Sequence, residues 1–368
     1  MTEPTLADIL AAARAISGTA ARTPLVPSPF LTGIAGHDFL LKLENTQPIG
    51  AFKLRGAVNA VFALPGDVSG VTCCSTGNHG RGVAYAARAR GIGAVICMSS
   101  LVPQAKVDGI RALGAEVRIV GTSQDDALAE SQRLATDEGL AEISPFDDPL
   151  VIAGQGTIGL ELLQDRPDLA AILVPLSGGG LAAGIAVAAK AIKPDIRLIG
   201  ITMERGAAMY ESVRAGAPVE VEEVASLADS LGGGIGMQNR LSFPLCRRLL
   251  DDYVLVAEDE IYDAMQTLYF EDRIVAEGAS VVGIAALKSG KLPPIDGPMA
   301  TIVTATAAEN LLPHGPRARL DLGLLGAGNR RFFHGIGLHL GYQALLGSLK
   351  GDLPASSMLT LGFSYWMG

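Results

Sequence analysis

A lysine placed between an aromatic residue and a helix start is the group in this chain whose chemistry is most open to use. Lys53 follows Gly50 and Phe52 in QPIGAFKLRGA (47–57) and opens a run, 54–64, that reads as a helix. At the positive end of a helix, backbone N–H groups and the dipole disfavour ammonium and favour a neutral, nucleophilic amine. Such an amine is able to form a Schiff base. On its own the site is ambiguous, because most lysines near a helix start are solvated surface charges. A second candidate is the turn Ser177, Gly178, Gly179, Gly180, which follows a buried strand and opens a helix at Leu181. Glycines there let the backbone wrap a phosphate, with N–H groups and a helix terminus aimed at it. A lone glycine run of this kind is equally a tight strand-to-helix turn.

Alternating strands and helices must position these groups. A helix begins after a Thr5–Asp8 cap, and 38–43 reads as a strand. Strands are then expected at 70–74, 94–98 and 116–120, with helices at 81–90, 103–113 and 123–138. PFDDP (145–149) reads as a proline-bounded turn, and the next helix is expected to start over 159–163. Strands at 171–176, 197–201 and 253–256 alternate with helices at 181–192, 207–215, 259–271 and 279–289. Strand and helix in succession imply parallel sheets covered on both faces, with a ligand site between two of them.

Composition narrows the class. The 368 residues are 49% apolar and 18% charged with a net charge of -9, which fits a soluble α/β protein of about two domains. That charge, with no dense Lys/Arg cluster, argues against nucleic-acid or membrane-surface partners. No run of 18 apolar residues is present, and the N-terminus lacks the basic region of a signal peptide. Cys73, Cys74, Cys97 and Cys246 have neither zinc nor disulfide spacing, so buried thiols in a reducing cytoplasm are expected. No Gly-x-Gly-x-x-Gly opens a helix with an acid about twenty residues on, which argues against a nicotinamide enzyme.

Three ordered stretches, QPIGAFKLRGA (47–57), CCSTGNHGRGVAYAA (73–87) and VPLSGGGLAAGI (174–185), resemble the fold-type II pyridoxal-phosphate enzymes. The resemblance is to the threonine dehydratase and serine racemase branch, and within it to hydroxyectoine utilisation dehydratases. It covers residues from about 5 to about 304. It implies two doubly wound α/β domains with pyridoxal 5'-phosphate between them. Residues 1–44 and 146–304 would form the larger, and 45–145 a smaller nested one. Lys53 would carry the cofactor and, once freed by substrate, take the α-proton. Phe52, Asn78, Ser177, Gly178, Gly179, Gly180, Leu181, Glu277 and Thr304 would line the cofactor. Ser75, Thr76, Gly77, Asn78 and His79 would receive the substrate carboxylate, although His79 also reads as a packed core histidine and Glu277 as an exposed cap.

Thr76 occupies the place where serine racemases have a serine hydroxyl facing the α-carbon and non-racemising dehydratases tend to have alanine. Thr304 aligns with the hydroxyl or thiol that meets the pyridine nitrogen; a neutral partner weakens the electron sink and favours prompt loss of a β-leaving group. Some relatives bind a divalent cation through a glutamate, a carbonyl and an aspartate. Glu204 and Ala208 fit, but Tyr210 stands in the aspartate place, so no metal site is expected. Residues 305–368 show no clear helical or strand period, and TAAEN replaces the Ser/Thr-Gly-x-Asn turn of the family. The expectation is an atypical tail, arising from a reading frame that shifts just after Thr304, and no regulatory domain.

The implied function is a β-hydroxy-amino-acid ammonia-lyase acting on threonine, serine or a relative such as 3-hydroxyaspartate, in hydroxyectoine catabolism by likeness and as a homodimer by family analogy. An amino-acid racemase is the nearest rival, and a protein that holds the cofactor without turnover is another.

Overall fold

A capping box opens the first helix, α1 (Leu6–Ala15): Thr5 accepts from the Asp8 N–H while the Asp8 carboxylate accepts from the Thr5 N–H at 2.8 Å. The computed structural model describes residues 2–305 apart from Thr76, Pro103 and the side chain of Ala105. The expectations for Thr76 and for the tail beyond residue 305 fall outside the described residues. A short strand β1 (Leu25–Pro27), helix α2 (Pro29–Ala35) and strand β2 (Phe39–Leu43) come next. Helix α3 (Lys53–Ala63) leads into strict alternation: β3 (Gly70–Cys74), α4 (Asn78–Arg90), β4 (Gly93–Met98), α5 (Gln104–Arg111), β5 (Glu116–Ile119), α6 (Gln124–Asp137) and β6 (Ala141–Glu142).

The pattern then recurs through α7 (Pro149–Asp165), β7 (Ala171–Pro175), α8 (Gly180–Ile192), β8 (Arg197–Met203) and α9 (Ala208–Ala215). Among the described residues it continues to α10 (Ser242–Leu249), β9 (Asp252–Val256), α11 (Glu258–Asp272), α12 (Val282–Lys288) and β10 (Met299–Val303). Helix α7 starts ten residues earlier than its glycine-rich sequence suggests. Asp148 accepts from the N–H groups of Leu150 and Val151, and Pro149 sits in the first turn, so PFDDP is a helix cap rather than a turn between elements. The glycines weaken helical propensity but permit close packing: a Cβ on Gly154 would lie 2.6 Å from the Arg55 carbonyl oxygen of α3. Strands β1 and β6 and helices α2 and α10 are absent from the sequence reading. Each is short: the strands have three and two residues, the helices seven and eight.

Two sheets result. One has the order β1-β2-β10-β7-β8-β9 and the other β5-β4-β3-β6. All pairings are parallel except that of β1 with β2, an antiparallel edge added to the expected doubly wound parallel design. Strands β7 and β10 are buried throughout, as sheets covered on both faces require. Ile172, Val174 and Ile302 pack with α7 and α8, whereas Leu173 and Val303 pack with α11 and α12. In the four-stranded sheet, Val71, Cys73 and Ile96 face α3 and α4, and Cys74 and Cys97 face Ala127 and Leu134 of α6. All four cysteines are buried and free.

Candidate active site

Loops at the carboxyl ends of parallel strands are where such sheets place ligands. Residues 75–77 follow β3, Ser177 to Gly179 follow β7, and Thr304 follows β10, the neighbour of β7. Lys53 begins α3, which packs between α4 and α7. A Cβ at Gly82 of α4 would lie 3.2 Å from the Lys53 carbonyl oxygen. Just before Lys53, Ala51 forms a bridge with Ala305, which ties the lysine loop to the end of β10.

The Lys53 amine donates to the Pro145 carbonyl at 2.7 Å and lies 5.5 Å from the centre of the Phe52 ring. Burial lowers its pKa to about 8, against a smaller opposing effect from Cys73. Roughly a tenth of the amine is therefore neutral at pH 7, compared with well under one per cent for an ordinary lysine.

Pro145 belongs to a strap, residues 143–147, that also reaches the glycine loop. A Cβ on Gly178 would fall 2.3 Å from Phe146 Cδ1, and one on Gly180 2.8 Å from Phe146 Cα. Gly179 has φ +88° and is hemmed in by Met209 and Cys246, so the loop has room for backbone alone. Its carbonyls are tied down from α10: Ser242 Oγ donates to Gly178 O at 2.7 Å, and Cys246 Sγ to Gly179 O at 3.5 Å. The first N–H groups of α8 have no intrahelical partner, as at any helix start, and suit an anion. Ser177 is half-buried, and the Leu181 side chain joins the core beside Ile172.

Ser75 Oγ accepts from the N–H groups of Gly77 at 3.3 Å and Gly80 at 3.1 Å, so this hydroxyl shapes the start of α4. Asn78 is half-buried in the first turn. His79 is buried and bonded through Nε2 to the Ile143 carbonyl at 2.9 Å. A carbonyl only accepts, so Nε2 carries the proton. Burial, and next the charge of Lys53, lower the His79 pKa to about 3. The imidazole is thus a neutral brace between α4 and the strap, matching the packed-histidine reading.

On the opposite wall, Ser280 Oγ accepts from the N–H groups of Thr304 at 3.1 Å and Ala305 at 2.9 Å. Thr304 is buried, and its Oγ1 has no hydrogen-bond partner among the described residues. Leaving a buried hydroxyl unpaired costs about 1–3 kcal/mol, which marks it as awaiting a partner. Glu277 is buried rather than exposed; its carboxylate accepts from Ser230 at 3.1 Å, and its N–H donates to Ala305 O at 3.2 Å.

Sequence reasoning missed the strap, Asp147, Ser242 and Ser280. Asp147 accepts from the N–H groups of Arg240, Leu241 and Ser242, each at 2.8 Å, and so locks the strap to the start of α10. Nothing local marks these positions, and PFDDP read as a turn although its second aspartate caps α7. Tyr210 packs edge-on against Tyr253, and Glu204 is exposed. Among the described residues no three His, Cys, Asp or Glu side chains gather as a metal site.

A primary amine of lowered pKa, an all-backbone anion cradle and an orphaned buried hydroxyl fit an aldehyde, a phosphate and a ring nitrogen. Comparison with known proteins agrees. The chain is 56% identical over 285 residues to a Sinorhizobium fredii protein provisionally named a threonine dehydratase, covering 77% of this chain and 86% of that protein. It is 40% identical to an L-threonine ammonia-lyase of Thermotoga maritima, over 77% of this chain and 71% of the relative. Among solved structures it resembles maize serine racemase, with TM-score 0.79 and 32% identity over 83% of this chain and 94% of that one. The T.th. threonine deaminase matches with TM-score 0.77 and 36% identity, over 82% of this chain and 98% of that one. Residues 16–305 match the pattern of one family, and the chain belongs to it: the pyridoxal-phosphate dependent enzymes.

Proposed function

We propose that this chain is a cytoplasmic, homodimeric ammonia-lyase converting a β-hydroxy amino acid such as L-threonine or L-serine to a 2-oxo acid and ammonia. The observation that carries the reading is the junction of Lys53, the 177–180 loop and Thr304 through Pro145, Phe146 and the Ala51–Ala305 bridge. The names of the relatives above support the reaction class.

In this reading the Lys53 amine would hold the cofactor and would also serve as the base that takes the α-proton of the substrate. Backbone N–H groups of Ser177, Gly178, Gly179, Gly180 and Leu181 would hold the phosphate, and Phe52 and Glu277 would line the cofactor. Thr304, with its buried hydroxyl, and Asn78 would offer hydrogen bonds to the polar atoms of the cofactor ring. The loop of Ser75, Thr76, Gly77, Asn78 and His79 receives the carboxylate through its backbone and hydroxyl groups. Pyridoxal phosphate, when bound, supplies an electron-accepting ring next to the α-carbon. Residues 45–145 form the smaller domain and 1–44 with 146–304 the larger; the confinement of one whole sheet to 70–142 supports that division.

A panel of hydroxy amino acids tests the activity, with release of ammonia and 2-oxo acid measured on cofactor-loaded protein. Visible Schiff-base absorbance without ammonia from any substrate would instead indicate a non-catalytic binder. Hydroxyectoine catabolism belongs to this reading, and neighbouring genes test it. The likeness to maize serine racemase favours one second reading, racemisation. Incubation with L- and D-serine, scoring antipode against 2-oxo acid, separates the two.

A further inference from the structure

The strap contains a group with no assigned task. Pro145 has no N–H to donate, its ring restricts φ, and its carbonyl is the hydrogen-bond partner of the Lys53 amine at 2.7 Å. Both ends of the strap are pinned. His79 donates to Ile143 O at 2.9 Å, and Asp147 accepts from three backbone N–H groups at 2.8 Å. The strap also closes on itself, since the Asp147 N–H donates to Ser144 Oγ at 3.2 Å. Between these ends Phe146 is wedged against Gly178 and Gly180.

We propose that the Pro145 carbonyl is a positioning group for the Lys53 amine, a rigid acceptor that holds Nζ in place while it exchanges a proton with the substrate. The inference rests on the reading of Lys53 as the reactive amine. In that transfer the α C–H bond breaks, the proton passes to the Nζ lone pair, and the electron pair stays with the substrate carbon framework. A lysine stem has four rotatable bonds, so an unanchored amine would spread over many positions.

A carbonyl suits the task because it accepts from an amine and from an ammonium alike. A carboxylate in its place would favour the charged form and stall a base. The titratable groups facing Lys53 are Cys73 of β3 and His79 of α4. Burial pushes the Cys73 thiol up and the His79 imidazole down, so both face the amine uncharged at neutral pH.

The test loosens the backbone at residue 145 while keeping its carbonyl, in the order Pro145, Pro145→Ala, Pro145→Gly. Cofactor-loaded proteins are incubated in D2O with L-alanine, which has no β-leaving group, and α-deuterium uptake is followed. Uptake should fall about threefold in the alanine variant and about tenfold in the glycine variant, with KM and cofactor affinity within twofold of the parent. In cofactor-free protein labelled with 15N-lysine, exchange of the Lys53 Nζ protons with water should speed up in the same order. Equal uptake and equal Nζ exchange across the three proteins would overturn the proposal, as would a loss of rate matched by a loss of cofactor affinity. A parent protein that takes up no deuterium would overturn the Lys53 reading itself, and the proposal with it. If the glycine variant does not fold, Pro145→Ala decides alone, since alanine keeps ordinary backbone stiffness.

Discussion

Arg55 is gripped by two carboxylates at once, Glu44 at 2.8 and 2.7 Å and Glu161 at 2.6 and 2.9 Å. Lys42 completes the cluster with a 2.6 Å bond to Glu161, so two positive and two negative charges balance in the interior. Arg55 is 1% exposed, Glu44 0%, Lys42 0% and Glu161 8%. The cluster joins β2 and α7 to α3 two residues beyond Lys53, and so fixes the helix that presents the lysine.

Removing one member strands the others. Arg55→Met should lower unfolding stability by about 3–5 kcal/mol, the usual cost of breaking a buried pair from one side. Urea titration of the purified variant measures it. A loss below about 1 kcal/mol would mean that the cluster is hydrated and does not anchor α3.

The same cluster sets an acid limit. Burial pushes the Glu161 carboxyl up, but Arg55 and Lys42 outweigh it and hold its pKa below the ordinary value. A carboxyl depressed in the folded state contributes stability that is present above its unfolded pKa, about 4.3, and is lost as pH falls through the folded value. Stability measured from pH 6 downward should therefore fall below about pH 4.3, and more gently in Glu161→Gln. Parallel curves for the two proteins would refute the assignment.

Lys53 sits on the other side of that logic. With the amine titrating near 8, capture of pyridoxal phosphate by cofactor-free protein should accelerate as pH rises, with its midpoint near 8. Lys53→Ala should abolish capture. Stopped-flow absorbance against pH reads both, and a midpoint near the ordinary lysine value of about 10.4 would show that the amine is solvated.

The glycine loop and the strap should behave as one unit. Gly178→Ala drives a methyl into Phe146 and should weaken cofactor binding by about 10- to 100-fold, in keeping with overpacking costs of 1–3 kcal/mol. Adding Phe146→Ala should recover part of that loss, a non-additivity expected only of residues in contact. Titration of cofactor into the two single variants and the double variant decides the point.

Thr304 offers a trade between stability and binding. Thr304→Val removes the orphaned hydroxyl while keeping its shape, so the cofactor-free protein should become more stable by about 1 kcal/mol. The cofactor-loaded protein should lose affinity. Thermal melts with and without cofactor measure both, and a destabilised cofactor-free variant would show that the hydroxyl already has a partner.

Much of this was legible in the chain itself. The alternation of strand and helix dictated parallel sheets, because only a crossover helix returns the chain to start a parallel neighbour. The stretches around Lys53, Asn78 and Gly178 marked three strand-to-helix or loop-to-helix junctions, and those features are local: a helix start, a glycine, a hydroxyl. Only the tertiary structure decided what joins them. Pro145 meets Lys53 across 92 positions of sequence, Ser280 shapes the Thr304 loop from 24 positions away, and Arg55 finds Glu161 106 positions on. Such partners leave no period or spacing to read, because a carbonyl, a serine or a carboxylate acquires its role from whatever the folded sheets bring within about 3 Å of it.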